Sequence, residues 1–189
     1  MYLHNLTLLN SGPLNKLEFS APFTADHNPK PIVFVGTNGS GKTTLLSVVA
    51  DALIELATQA FRDISPSQGL GTSYFRIVGN RNIQVGKDFE LSAVRFAEAS
   101  TPLLYRAKAG KLDPHSVTTE MAKFPGLGTW KTDENVKDVV GDRELVRQIF
   151  NQGAYVFFPS TRFEVPHWLN TKYRTASPRL PLIRSFLIV

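Results

Sequence analysis

Gly36-Thr37-Asn38-Gly39-Ser40-Gly41-Lys42-Thr43-Thr44 fills the pattern G-x-x-x-x-G-K-[ST] at Gly36, Gly41, Lys42 and Thr43. The run before it, Pro31-Ile32-Val33-Phe34-Val35, is short and wholly apolar, which predicts a buried strand. The run after it, Leu45 to Leu56, carries apolar residues at helical spacing. Strand, loop and helix in that order are the context a phosphate-binding loop requires.

The residue types suit that chemistry. A triphosphate is a dense polyanion and needs many donors converging on it. Glycines at 36, 39 and 41 let the backbone turn sharply and come close to the phosphates. The N–H groups of the loop, Thr37, Asn38 and Ser40 included, then point inward as an anion nest. A helix beginning near Gly41 adds its unpaired first amides and the positive end of its dipole. Lys42 is expected to place an ammonium between the outer two phosphates, Thr43 to hold Mg2+ through its hydroxyl, and Thr44 to cap the inner phosphate. One protein hydroxyl suffices for magnesium, which keeps several waters. The competing reading is a glycine-rich turn at the start of an ordinary helix, with Lys42 merely solvated.

Around this loop the chain is ordinary in composition. Its 189 residues, 42% apolar and 20% charged, suit a soluble domain with a real core. The absence of cysteine excludes disulfides, thiolate metal sites and thiol catalysis. The four histidines (4, 27, 115 and 167) show no metal-ligand spacing. No apolar run approaches the length of a membrane span, and Met1 to Leu6 lacks the features of a signal peptide, so a cytoplasmic protein with no membrane partner is expected. The net charge of +5 permits a polyanionic partner such as DNA. From Val165 to Val189, Lys172, Arg174, Arg179 and Arg184 meet no acidic residue, and Trp168 and Tyr173 lie among them. That stretch reads first as a solvated segment with acidic partners elsewhere, and second as a surface for a nucleic-acid strand.

Residues 2–9 alternate apolar and polar, Ser11-Gly12-Pro13 is a turn, and 14–19 alternates again, which predicts a hairpin. A helix is expected over 42–61, ended by the breaker cluster at 64–69. Strand-like runs at 74–78, 83–85, 89–96 and 103–107 predict an antiparallel meander. A short helix is expected at 114–123, a glycine-rich loop at 124–133, a helix at 142–151 capped by Asp142, and an apolar strand at 154–158. The expected organisation is one partial ATPase domain: hairpin, strand, loop and helix over 1–61, an antiparallel subdomain over 62–112, and a helical, strand-bearing and basic remainder over 113–189.

The hairpin, the apolar run and Val35-Gly36-Thr37-Asn38-Gly39-Ser40-Gly41-Lys42-Thr43-Thr44-Leu45-Leu46 together resemble the amino-terminal lobe of ABC-type ATPases, in particular the SMC, RecF and OLD-like branch. The specific match covers about residues 1–60; the meander is similar to the antiparallel subdomain of that branch by pattern. The resemblance implies an α/β P-loop NTPase head with an antiparallel β meander and an incomplete parallel core sheet. It implies ATP and Mg2+ bound through Gly36 to Thr44, a second ATPase head that sandwiches the nucleotide in a homodimer, and work on DNA in repair, chromosome maintenance or anti-phage defence. The strand 154–158 sits where that branch carries its Q-loop, but no glutamine follows it directly; Gln84, Gln148 and Gln152 lie elsewhere. The Walker B strand ending in Asp-Glu, the signature segment and the switch histidine have no counterpart; Asp142 follows only Val139-Val140-Gly141. The catalytic carboxylates are therefore unassigned, the chain is expected to be the amino-terminal part of a longer ATPase, and alone it is expected to hydrolyse ATP barely or not at all. The other functional readings are a non-hydrolysing nucleotide- or polyanion-binding scaffold and, less well matched, the ATPase subunit of a transporter.

Outside the loop, the competing readings are more even. Arg162 and Glu164, just after the 154–158 run, read equally as a phosphate- or partner-facing pair and as an ion pair at a strand exit. His167 beside Trp168 reads as a packed histidine, and Lys16 as a solvated lysine rather than a contact to the base or ribose.

Overall fold

The computed structural model describes residues 1–61, 82–97, 103–112 and 135–153. The expected strands at 74–78 and 154–158, the helix at 114–123, the loop at 124–133, and Arg162, Glu164, His167 and the basic stretch lie outside the described residues.

The chain opens with the hairpin its alternation predicts, β1 (Tyr2–Ser11) and β2 (Leu14–Ser20), paired antiparallel with Leu6 opposite Phe19 and Leu8 opposite Leu17. The glycine-rich loop at 36–41 leads into α1 (Lys42–Thr58). Then follow β3 (Phe89–Ala97), β4 (Leu103–Gly110), β5 (Val136–Val140) and α2 (Arg143–Asn151). The strands form one five-stranded sheet in the order β2-β1-β3-β4-β5, antiparallel at every pairing. The hairpin and the 89–110 strands thus share a sheet, because β3 lies beside β1 with Val94 opposite Leu6 and Ser92 opposite Leu8.

The helix α1 covers one face of this sheet. Its apolar stripe of Leu45, Val48, Ala52 and Leu56 is buried against Leu6, Leu8, Val94, Phe96 and Tyr105. These positions recur every three to four residues, so they share one side of the helix. Each large side chain so buried contributes roughly 1.5–3 kcal/mol. The second helix adds Val146, Ile149 and Phe150 to the same core, and the Phe61 and Phe150 rings meet edge to face with centroids 6.5 Å apart. As expected, Asp142 caps α2: its Oδ1 accepts from the Leu145 amide at 2.8 Å. On the opposite sheet face, Leu91, Ala93 and Leu112 form a smaller cluster with Leu9, Phe89 and Val136.

Three expectations are corrected. No parallel pairing occurs among the described residues, so the expected parallel core sheet is not seen there. The run at 31–35, expected as a buried strand, pairs with no described strand, and Val33 and Val35 are 80% and 90% exposed. A parallel strand owes its burial to neighbouring strands and to helices on both faces. Here β2 and β3 take both edges of β1, and only alternate residues of the run turn inward; Phe34 packs edge-on against Phe19 at 5.4 Å. The third is 83–85, which is no strand: Ile83 makes a single bridge to Ser11, and a turn follows at once. The sequence reading also missed β5, whose place beside β4 is fixed by partners distant in sequence. Arg106 Nε donates to Asp138 Oδ2 at 2.7 Å across the β4–β5 pair, and Lys137 meets Glu55 of α1 at 3.4 Å.

Candidate phosphate-binding site

The loop ahead of α1 is held open by its backbone. Thr37 to Ser40 close a turn, with the Ser40 amide donating to the Thr37 carbonyl at 3.3 Å. Gly39 has φ 81° and Gly41 φ 94°, in the left-handed region where a side chain is strained. The two glycines differ in what surrounds them. A Cβ on Gly39 would meet nothing within 4 Å, so only its dihedral demands glycine. A Cβ on Gly41 would lie 2.7 Å from Cγ of Leu14, because the start of β2 presses against the loop there.

Gly41 is also the N-cap of α1, and no side chain caps the helix or places a carboxylate in its first turn. The first amides of a helix have no partner within it, and the dipole leaves partial positive charge there. Serine, threonine or aspartate at the cap would quench that end; glycine leaves it available to an anion. The Lys42 ammonium lies over the loop: Nζ donates to the Gly36 carbonyl at 2.8 Å and the Thr37 carbonyl at 2.7 Å, and lies 3.5 Å from Ser40 Oγ. Residues 36–40 and Thr43 are exposed, whereas Lys42 and Thr44 are half-buried. A helix start without a cap and one ammonium thus meet at a single exposed loop.

This donor set fits a phosphate chain. Lys42 and the loop amides would hold it, and the exposed Thr43 hydroxyl at the helix start would hold a magnesium ion. Among the described residues no group of three or more histidine or acidic side chains could hold a metal by itself.

All nine residues from Gly36 to Thr44 lie in this one loop and first helical turn, as the motif requires. Other candidates do not join them. Lys16 sits on β2 and pairs with Glu18 at 3.3 Å. Gln148 and Gln152 lie in and just after α2, and the Gln84 amide is bound to the Asn10 carbonyl at 2.9 Å.

Sequence reasoning missed the support behind the loop. Beyond Leu14, a Cβ on Gly12 would lie 3.5 Å from Thr44 Oγ1, so the β1–β2 turn touches the helix start as well. Next to Gly12, the Ser11 hydroxyl donates to Glu90 Oε1 on β3. Glu90 is fully buried, and Asp51 of α1 is 2% exposed. Burial pushes the Glu90 carboxyl from 4.5 up to about 7; the hydrogen bond from Ser11 acts against this, and the Asp51 charge adds to it. The signal was present in sequence as acidic residues set within apolar patterns, Asp51 in the helical stripe and Glu90 in Phe89-Glu90-Leu91. Nothing local shows that the charge of one reaches the other.

No protein-family model matches the chain, and no curated protein matches it.

Proposed function

We propose that this chain is the nucleotide-binding amino-terminal lobe of an ABC-type ATPase of the SMC, RecF and OLD-like branch, binding Mg-ATP through Gly36 to Thr44. One observation carries the reading: the complete motif forms an exposed, glycine-shaped loop on a helix start without a cap, with the Lys42 ammonium over it. A loop that only began an ordinary helix would have no need to leave the helix end without a cap and to hold a lysine over its own carbonyls.

In this reading the loop binds and orients the phosphates, and Lys42 and magnesium offset their charge. Hydrolysis needs carboxylates and a signature segment for which this sequence has no counterpart, so the chain alone binds ATP and turns it over barely or not at all. A second head would complete the sandwich, and the work would be DNA repair, chromosome maintenance or anti-phage defence. The net charge of +5 supports a second reading, a scaffold that holds a polyanion at the same loop without a nucleotide requirement.

A thermal-shift titration separates the two. Ligand at a hundred times its Kd adds about 2.7 kcal/mol to the folded state, which raises the melting temperature by roughly 5–10 °C in a domain of this size. Mg-ATP is expected to produce that shift in the wild type and none in Lys42→Ala. A flat response to Mg-ATP with a salt-sensitive response to DNA would favour the scaffold.

A further inference from the structure

The phosphate chemistry leaves unused a polar cluster at the interface between α1 and the sheet. Ser11, Ser47, Asp51, Glu90 and Ser92 are all buried, and Glu90 Oε2 has no hydrogen-bond partner among the described residues. The Asp51 charge reaches Glu90, and two neighbouring buried carboxyls do not both ionise readily. Asp51 lies seven residues along α1 from Thr44, two turns down the same side, or about 10 Å along the helix axis. The β1–β2 turn makes a second link. Ser11 holds Glu90, Gly12 touches Thr44, and Leu14 packs against Gly41. Four residues of chain, Ser11 to Leu14, therefore run from the buried carboxyl to the 36–44 loop.

We propose that binding of a polyphosphate at Gly36 to Thr44 is coupled to uptake of a proton at Glu90, so that the loop binds its anion more tightly as the pH falls. The proposal rests on the nucleotide reading above and adds a regulation to it. The direction follows from Coulomb's law. An incoming polyanion and an ionised Glu90 repel across a poorly screened interior, and protonation removes the repulsion.

Asp51 is the charged group facing Glu90 from α1; Glu55, one turn on, is engaged with Lys137. On β1 the neighbours are Asn10 and Ser11, which do not titrate. On β4 Ala109 stands opposite Glu90, while Lys108 pairs with Leu91 and so projects from the other sheet face. The 82–84 segment brings neutral Asn82 and Gln84, and Lys87 and Asp88 are exposed. Among the described residues, Asp51 is thus the charged group that bears on the ionisation of Glu90.

Calorimetric titration with Mg-ATP tests the coupling in wild type, Glu90→Gln and Asp51→Asn. Runs at pH 7 in two buffers of different ionisation enthalpy count the protons taken up, and runs at pH 6 and pH 8 give the affinity ratio. The titration of ATP itself is common to all three proteins and cancels in the comparison. The wild type is expected to take up a larger fraction of a proton than Glu90→Gln, and its pH 6 to pH 8 affinity ratio to be greater by about fivefold, the low end of typical coupling. Asp51→Asn is expected to keep the linkage with its inflection at lower pH. Equal proton counts and equal ratios in wild type and Glu90→Gln overturn the coupling and leave the nucleotide reading intact. Failure of all three proteins to bind Mg-ATP at any pH overturns both. If Glu90→Gln does not fold by circular dichroism, Asp51→Asn decides: a lowered inflection supports the coupling and an unmoved one overturns it.

Discussion

The two ends of the α1 interface work by opposite rules. At the loop, residues 36–40 are exposed, the chemistry belongs to backbone N–H groups and one ammonium, and glycine is chosen for what it leaves out. Two turns down, Asp51 and Glu90 are buried, and burial opposes the ionisation of Glu90. The loop can change partners at little cost to the fold, because solvent already surrounds it. The buried end cannot change charge without altering the stability of the helix on the sheet. The helix that begins at the loop is thus seated on an interface whose stability depends on the Glu90 proton.

The largest test of this contrast is at the core beneath the buried end. Leu56→Ala empties a fully buried position between α1 and the sheet and is expected to destabilise by about 2–5 kcal/mol. Urea unfolding measures it, and a loss below about 1 kcal/mol would mean that α1 is not seated as described.

Next in size is the effect of Glu90 on stability. Its carboxyl is raised from 4.5 to about 7 on folding, so between those values the folded state holds a proton that the unfolded state releases. Stability from this group is complete below pH 4.5, falls as the pH rises towards 7 and is flat above. The whole span is about 3 kcal/mol from the size of the shift. Glu90→Gln, neutral throughout, is expected to lack this slope and to be the more stable protein above pH 7. Parallel stability curves for the two proteins across pH 4–8 would break the contrast at its buried end.

Two smaller effects sharpen it. Asp142→Ala removes the cap of α2 and is expected to cost about 1 kcal/mol in urea unfolding, with Mg-ATP affinity unchanged because that helix lies away from the loop. Lys42→Ala is expected to change stability by no more than about 0.5 kcal/mol while abolishing the Mg-ATP response, since its partners are carbonyls of an exposed loop. Marked destabilisation by Lys42→Ala would mean that the loop is part of the core after all.

The motif, the hairpin, the stripe of α1 and the Asp142 cap were all legible in sequence, because each is written in residues a few positions apart. Helix periodicity, turn chemistry and the glycine pattern of 36–44 act within one or two turns of chain. The run Ile32 to Val35 shows the limit of such reading. Its side chains suit a buried strand, yet burial depends on which strands lie alongside, and β1 spends both its edges on β2 and β3. The strand β5 was missed for the converse reason, since Val136 to Val140 is an unremarkable five-residue run until Arg106 and Glu55 meet it.

By itself the sequence determined a local object, a glycine-shaped turn of backbone and a helix to follow it. Only the tertiary structure decided what stands behind that object. Pairing Leu6 with Val94 across more than eighty positions brings β3 under α1, puts Glu90 within reach of the Asp51 charge and ties Glu90 to the turn that supports the loop. The physical reason is one of range. Backbone geometry and dipoles act between neighbours in the chain, whereas the proton affinity of a carboxyl depends on whichever charges and apolar surfaces the fold carries to it.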